Sequence, residues 1–95
     1  MAMFTVSAII DGDTFEVSGG WKWQGHEGSR VRPTGYDAPE LNTKAGLQTK
    51  AKLSTLILGK QVELGSVKTI DRGRLVCDVF YNGHRLADYF ASYQV

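Results

Sequence analysis

Residues Val31–Glu40 read V-R-P-T-G-Y-D-A-P-E, which sets Arg32, Asp37 and Glu40 in one short segment. Two other segments carry the same residue types: Asp11-Gly12-Asp13-Thr14 before it and Asp71-Arg72-Gly73-Arg74 after it. Hydrolysis of a phosphodiester passes through a doubly negative, pentacovalent arrangement at phosphorus. Arg32 and Arg74 offer guanidinium forks that match phosphoryl oxygens two at a time. One preorganised donor of that kind is typically worth about 10²–10³ in rate. Asp13 and Asp37 each fall where a strand gives way to a turn, and side by side they would repel unless a cation lay between them. All-oxygen donors select hard cations such as Ca²⁺ or Mg²⁺. Glu40 is then the carboxylate left to activate or orient water. Singly, each segment is more often an ordinary charged turn; their order and context make the case.

The remaining reactive residue types read as structural. His26 and His84 stand alone, without ligand spacing, and are expected on surface loops. Cys77 lies in the run Leu75-Val76-Cys77-Asp78-Val79-Phe80 and reads as a strand thiol. A single cysteine excludes an internal disulfide and a cysteine-rich zinc site. Trp21, Trp23 and Tyr36 are of a type that stacks on bases, but packing is the stronger expectation for each.

The elements that must bring these segments together follow from pattern. Phe4–Ile10 is rich in β-branched residues and predicts a strand, broken by Asp11-Gly12-Asp13. Thr14–Ser18 resumes with period-two alternation and completes a hairpin. Gly19-Gly20 opens a third excursion, with Trp21 and Trp23 on one face and a turn at Gly25-His26-Glu27-Gly28. Ser29–Tyr36 predicts a strand with Pro33 inside it, so that strand lies at an edge, bulged or interrupted there. Asn42 or Thr43 caps a helix in which Leu47, Ala51, Ser54 and Leu58 follow helical spacing, joined by Leu53, Leu56 and Ile57, and Gly59 follows its end. Gln61–Val67 and Leu75–Tyr81 are strands, the second ending at Asn82-Gly83. Leu86, Phe90 and Tyr93 suggest a short terminal helix. The class is mainly β: an OB-type five-stranded barrel with one main helix and a short C-terminal helix.

Bulk properties agree with one small domain spanning residues 1–95. A chain this short buries about 60–65% of its unfolded surface, so its stability margin is modest. The 42% hydrophobic and 22% charged content is that of a globular protein rather than a disordered one. The net charge of +1 gives no global basic field for nucleic acid. If the site acids hold a cation, however, their surroundings are net positive. No apolar run is long enough to cross a membrane. The start has neither the basic flank nor the apolar run of a signal peptide, so the expectation is a cytoplasmic monomer as written, or a secreted one if a signal was removed.

The three segments, in this order, resemble the motifs of staphylococcal-nuclease-like (thermonuclease) domains. Val6–Phe15 is similar to the opening of such domains, and Val31–Glu40 to their V-R-L-x-G-I-D-A-P-E motif. Ala51–Val62 is similar to their helix and following strand, and Asp71–Val76 to D-R-Y-G-R-L-V. The resemblance covers nearly the whole chain. It implies an OB-fold barrel that hydrolyses DNA and RNA with Ca²⁺, leaving 3′-phosphates. It implies Asp13 and Asp37 as metal ligands with the carbonyl of Ala38, Glu40 acting on the attacking water, and Arg32 and Arg74 on the phosphate. Three departures stand out. The third motif is one residue short and lacks its tyrosine, which helps hold the nucleotide. Pro33 replaces a strand leucine, and the chain stops at Val95, before the stretch that usually follows the terminal helix. A non-catalytic module of the same fold, binding nucleic acid or protein, is the alternative; such modules usually lose the acids and arginines that this chain keeps.

Overall fold

A computed structural model describes residues 3–95. Strands β1 (Met3–Asp11), β2 (Thr14–Trp23) and β3 (His26–Pro33) form a meander. Helix α1 (Lys44–Ile57) follows, then β4 (Gln61–Asp71), β5 (Arg74–Tyr81) and a two-residue strand β6 (His84–Arg85). The sheet order is β3-β2-β1-β4-β5-β6. All neighbours in that order are antiparallel, and β3 also pairs with β5 in parallel, which closes β1–β5 into a five-stranded mixed barrel. The OB-type expectation therefore holds.

Alternation fixes the inside of the barrel. Val6, Phe15, Val17, Val31, Val62, Leu75, Cys77 and Val79 are buried. Pro33 ends its strand while still paired with Cys77, and Thr34 N–H then donates to the Cys77 carbonyl at 3.0 Å. Strand β2 runs further than alternation alone suggests. It continues through Gly19-Gly20, with a register shift between Glu16 and Trp21, so no third excursion begins there. Trp21 is buried and donates from its indole to the Arg30 carbonyl at 2.8 Å. The turn that follows is Gln24-Gly25, both at positive φ, rather than residues 25–28. Strand pairing of His26 with Trp23 and Glu27 with Lys22 takes up the residues expected in that turn.

Helix α1 is capped by Thr43, whose hydroxyl accepts from Gly46 N–H at 3.0 Å and donates to the Glu40 carbonyl at 2.6 Å. Its buried face is Gly46, Thr49, Leu53 and Ile57. This corrects the expected stripe: Leu47 and Leu58 are 58% and 45% exposed. Small residues set the helix rotation. A Cβ on Gly46 would stand 1.8 Å from the Glu40 carbonyl oxygen, and one on Gly12 would stand 2.6 Å from Thr49 Cγ2. The backbone approaches the helix more closely than a larger side chain permits.

The terminal segment forms two 3-10 turns, Leu86–Tyr89 and Ala91–Tyr93, where a short amphipathic helix was expected. Leu86, Ala87 and Phe90 are buried, so the apolar spacing serves the core, but the chain breaks at Phe90 (φ −126°, ψ 52°) to pack its ring. That ring stacks on Tyr36, with centroids 4.5 Å apart and planes within 3°.

Candidate functional site

Three segments converge at one edge of the barrel. The first is the turn from β1 to β2. The Asp11 carboxylate accepts from Asp13 N–H at 3.0 Å, an Asx-type closure that directs the Asp13 side chain inward. Second comes the loop after β3. Ala38 N–H donates to Asp13 Oδ2 at 2.9 Å, and Asp37 N–H to the Tyr93 carbonyl at 2.9 Å. Tyr36, fully buried, donates its hydroxyl to the Gly12 carbonyl at 2.8 Å. Loop and turn are therefore tied together at Tyr36–Gly12 and Ala38–Asp13.

Arg32 lies at the centre. Its Nη2 bonds the Asp37 carboxylate and stands 3.6 Å from Asp13 Oδ2, while Nη1 donates to the carbonyls of Pro33 and Tyr36 at 3.1 and 3.2 Å. The two aspartates flank a single cationic nitrogen. Asp13 is the enclosed one, with its side chain 14% exposed against 60% for Asp37. Burial pushes the Asp13 carboxyl above its ordinary range, and Asp11 adds to the rise; the Ala38 N–H bond and the Arg32 charge oppose it without cancelling it.

The third segment is the hairpin between β4 and β5. Arg72 and Gly73 both have positive φ (54° and 77°), which makes a two-residue turn with Asp71 and Arg74 as cross-strand partners. The segment Asp71–Arg74 is thus a tight hairpin with no further residue in its turn. Arg74 Nη2 holds Asp71 Oδ2 at 2.9 Å, and Nη1 reaches Thr14 Oγ1, beside Asp13, at 3.3 Å. In the parallel β3–β5 pair, Arg74 is opposite Arg30 and Val76 opposite Arg32. Arg32 and Arg74 therefore share the barrel's outer face, diagonal to each other. A cleft of about 500 Å³ opens beside Arg32, lined by Gly35, Tyr36, Asp37, Ile70 and Asp71 among others but not by Asp13 or Arg74, a volume within the range of small-ligand sites.

The fold thus gathers Asp13, Arg32, Asp37 and Ala38, and connects Arg74 to them through Thr14. Glu40 is not drawn in. Its side chain is exposed and makes no hydrogen bond or ion pair among the described residues, and only its carbonyl is engaged, by Thr43. Ala38 contributes its N–H as an anchor for Asp13. Sequence reasoning missed Asp11 and Thr14 as supporting groups. The D-G-D-T string carried the signal for Asp11, because an Asp two residues before a turn N–H closes Asx turns; nothing local marks Thr14 as a partner of Arg74. Tyr36 is core, and its hydroxyl pKa is raised by burial.

The donors available to a metal are carboxylate oxygens. Asp13 and Asp37 reach the same cationic nitrogen from two segments, a pairing that suits a hard divalent cation. Among the described residues no group of three or more His, Cys, Asp or Glu side chains is gathered. Carbonyl, phosphate or water oxygens would complete such a shell. No protein-family model matches the chain, and no curated protein matches it either.

Proposed function

We propose that this protein is a calcium-dependent nuclease that hydrolyses phosphodiester bonds of DNA and RNA, leaving 3′-phosphates. The observation that carries this reading is the convergence of Asp13 and Asp37 on Arg32, with Arg74 on the same outer face. Asp13, Asp37 and the Ala38 carbonyl would hold the ion, which when bound supplies charge neutralisation and Lewis-acid polarisation of a phosphoryl oxygen. Arg32 exchanges the exposed Asp37 carboxylate for phosphate, and Arg74 does the same with Asp71. Their forks then stabilise the charge that builds on the equatorial oxygens. Glu40, free of internal partners, takes the proton of the attacking water. The bond to the 5′-oxygen breaks and that oxygen takes a proton from solvent water, which yields a 3′-phosphate and a 5′-hydroxyl.

One observation favours a second reading, a non-catalytic module that binds nucleic acid or protein: Arg74 is held inside its own shortened turn. Digestion of single-stranded DNA with Ca²⁺, with chelator, and by Glu40→Gln decides between the two. The nuclease reading expects cleavage that chelator removes and that Glu40→Gln lowers by about 10²–10⁴. Binding with the substrate intact after prolonged incubation in Ca²⁺ selects the module, and wild-type rates from Glu40→Gln remove the role of that residue.

A further inference from the structure

A second surface lies behind the candidate site. Between α1 and the C-terminal turns runs a groove made of two cavities, of about 310 and 520 Å³, which meet at Lys52. Lys52 bridges the groove: its Nζ donates to the Tyr89 carbonyl and stands 4.7 Å from the centroid of the Phe90 ring. One end is lined by Tyr89 and Tyr93, the other by Leu56, Lys60 and Tyr81. The rings of Tyr81 and Tyr89 are 6.1 Å apart, and His84 meets Tyr89 edge-on at 6.2 Å. The three tyrosines are half-buried, so each keeps an exposed part.

The cations on the groove lining are Lys52 and Lys60. Helix α1 contains Lys44, Lys50 and Lys52 and no Asp or Glu, and Lys60 follows it. The acid on the groove lining is Asp88. Residues on the groove lining also pack against the elements that carry the site. Tyr93 holds Asp37 N–H, Phe90 stacks on Tyr36, and Thr49 packs where a Gly12 side chain would be.

We infer that this groove is a binding track for single-stranded nucleic acid, carrying the part of a strand that extends beyond the candidate site. The inference rests on the nuclease reading for the location of the scissile bond, but not for the binding itself. Lys52 and Lys60 can each neutralise a phosphate, and the partly exposed rings give bases faces to stack on, the combination that sequence-tolerant strand binding uses. An acidic peptide would satisfy the lysines and leave the rings unused.

The test is binding in chelator, where no hydrolysis occurs, of labelled thymidine oligomers of about 3 and about 12 nucleotides. The wild type is expected to bind the longer strand more tightly. Lys52→Glu/Lys60→Glu is expected to weaken that binding about tenfold or more and to lower the salt slope by roughly 1–2. Lys60→Gln, at an exposed position outside regular structure, provides a mild variant whose fold is not at issue, and is expected to act in the same direction. An unchanged long-strand affinity and salt slope in both variants overturns the track, as does polyglutamate displacing the strand at equal charge concentration. Lysine-dependent binding by a wild type that cleaves nothing in Ca²⁺ supports the track while removing the nuclease reading.

Discussion

The buried hydroxyl of Tyr36 donates to the carbonyl of Gly12 at 2.8 Å, which fastens the loop that carries Asp37 to the turn that carries Asp13. Tyr36→Phe removes the donor and leaves that carbonyl with no phenol partner in the core. The expected cost is about 1–3 kcal/mol, read from urea denaturation. The two aspartates should lose their fixed spacing, so stabilisation of the protein by Ca²⁺ should fall as well. A variant as stable as the wild type would show that water or another donor takes over at Gly12.

Gly46 lies in a helix, where alanine ordinarily gains about 1 kcal/mol. Here the added methyl would fall 1.8 Å from the Glu40 carbonyl oxygen. Backbone cannot swing aside as a side chain can, so overpacking, at about 1–3 kcal/mol or more, outweighs propensity. Gly46→Ala should lower the denaturation midpoint and displace the loop that carries Asp37 and Glu40. A raised midpoint would contradict the close approach.

Arg74 is restrained by Asp71, whose side chain is 53% exposed. A pair this open to water is worth about 0–1 kcal/mol, so Asp71→Asn should leave stability nearly unchanged. It should, however, free the guanidinium. Titration with a nucleotide phosphate is expected to show affinity several-fold tighter than wild type. No gain, or weaker binding, would mean that the Asp71 contact holds Arg74 in its working position.

Asp13 gives stability a signature in pH. Burial raises the pKa of its carboxyl in the folded state, so the native protein holds this proton more tightly than the unfolded chain does. Stability in metal-free buffer should therefore fall as pH rises from the unfolded aspartate value through the raised one, then level off. Asp13→Asn lacks this contribution and should be the more stable form above that window, by an amount that vanishes below it. Parallel denaturation curves across acidic pH would check the sign, and added Ca²⁺ at neutral pH should narrow the gap.

Much of the fold could be read from residue pattern because its signals are local. The β-branched content of Phe4–Ile10, the alternation in Thr14–Ser18, the breaks at Asp11-Gly12-Asp13 and Asn82-Gly83, and Gly59 after the helix all act within a few residues. Gly59 indeed has φ +77° directly after the Leu58 cap. The rotation of α1 was not legible. Leu47, Ala51 and Leu58 have apolar spacing, yet Gly46 and Thr49 face inward, where the Glu40 carbonyl of the preceding loop crowds Gly46 and the distant Gly12 crowds Thr49. At the site, residue types pointed to Asp13, Arg32 and Asp37 as a group, and they do meet. What pattern could not supply was the partner of each charge: that Arg32 rests on both acids, that Arg74 turns back to Asp71, and that Glu40 faces solvent.

The parallel seam between β3 and β5 has a consequence for the order in which the site assembles. It joins Arg30 to Arg74, 44 residues apart in the chain, and such distant pairings form only after their loop-closure entropy has been met. During synthesis the first two segments of the site emerge well before the third. A nascent chain whose β5 is still inside the ribosome has no seam, no Arg74 and no closed barrel to hold the opposing loops. The edge that gathers Asp13, Arg32, Asp37 and Arg74 is therefore assembled only after β5 has emerged and paired with β3.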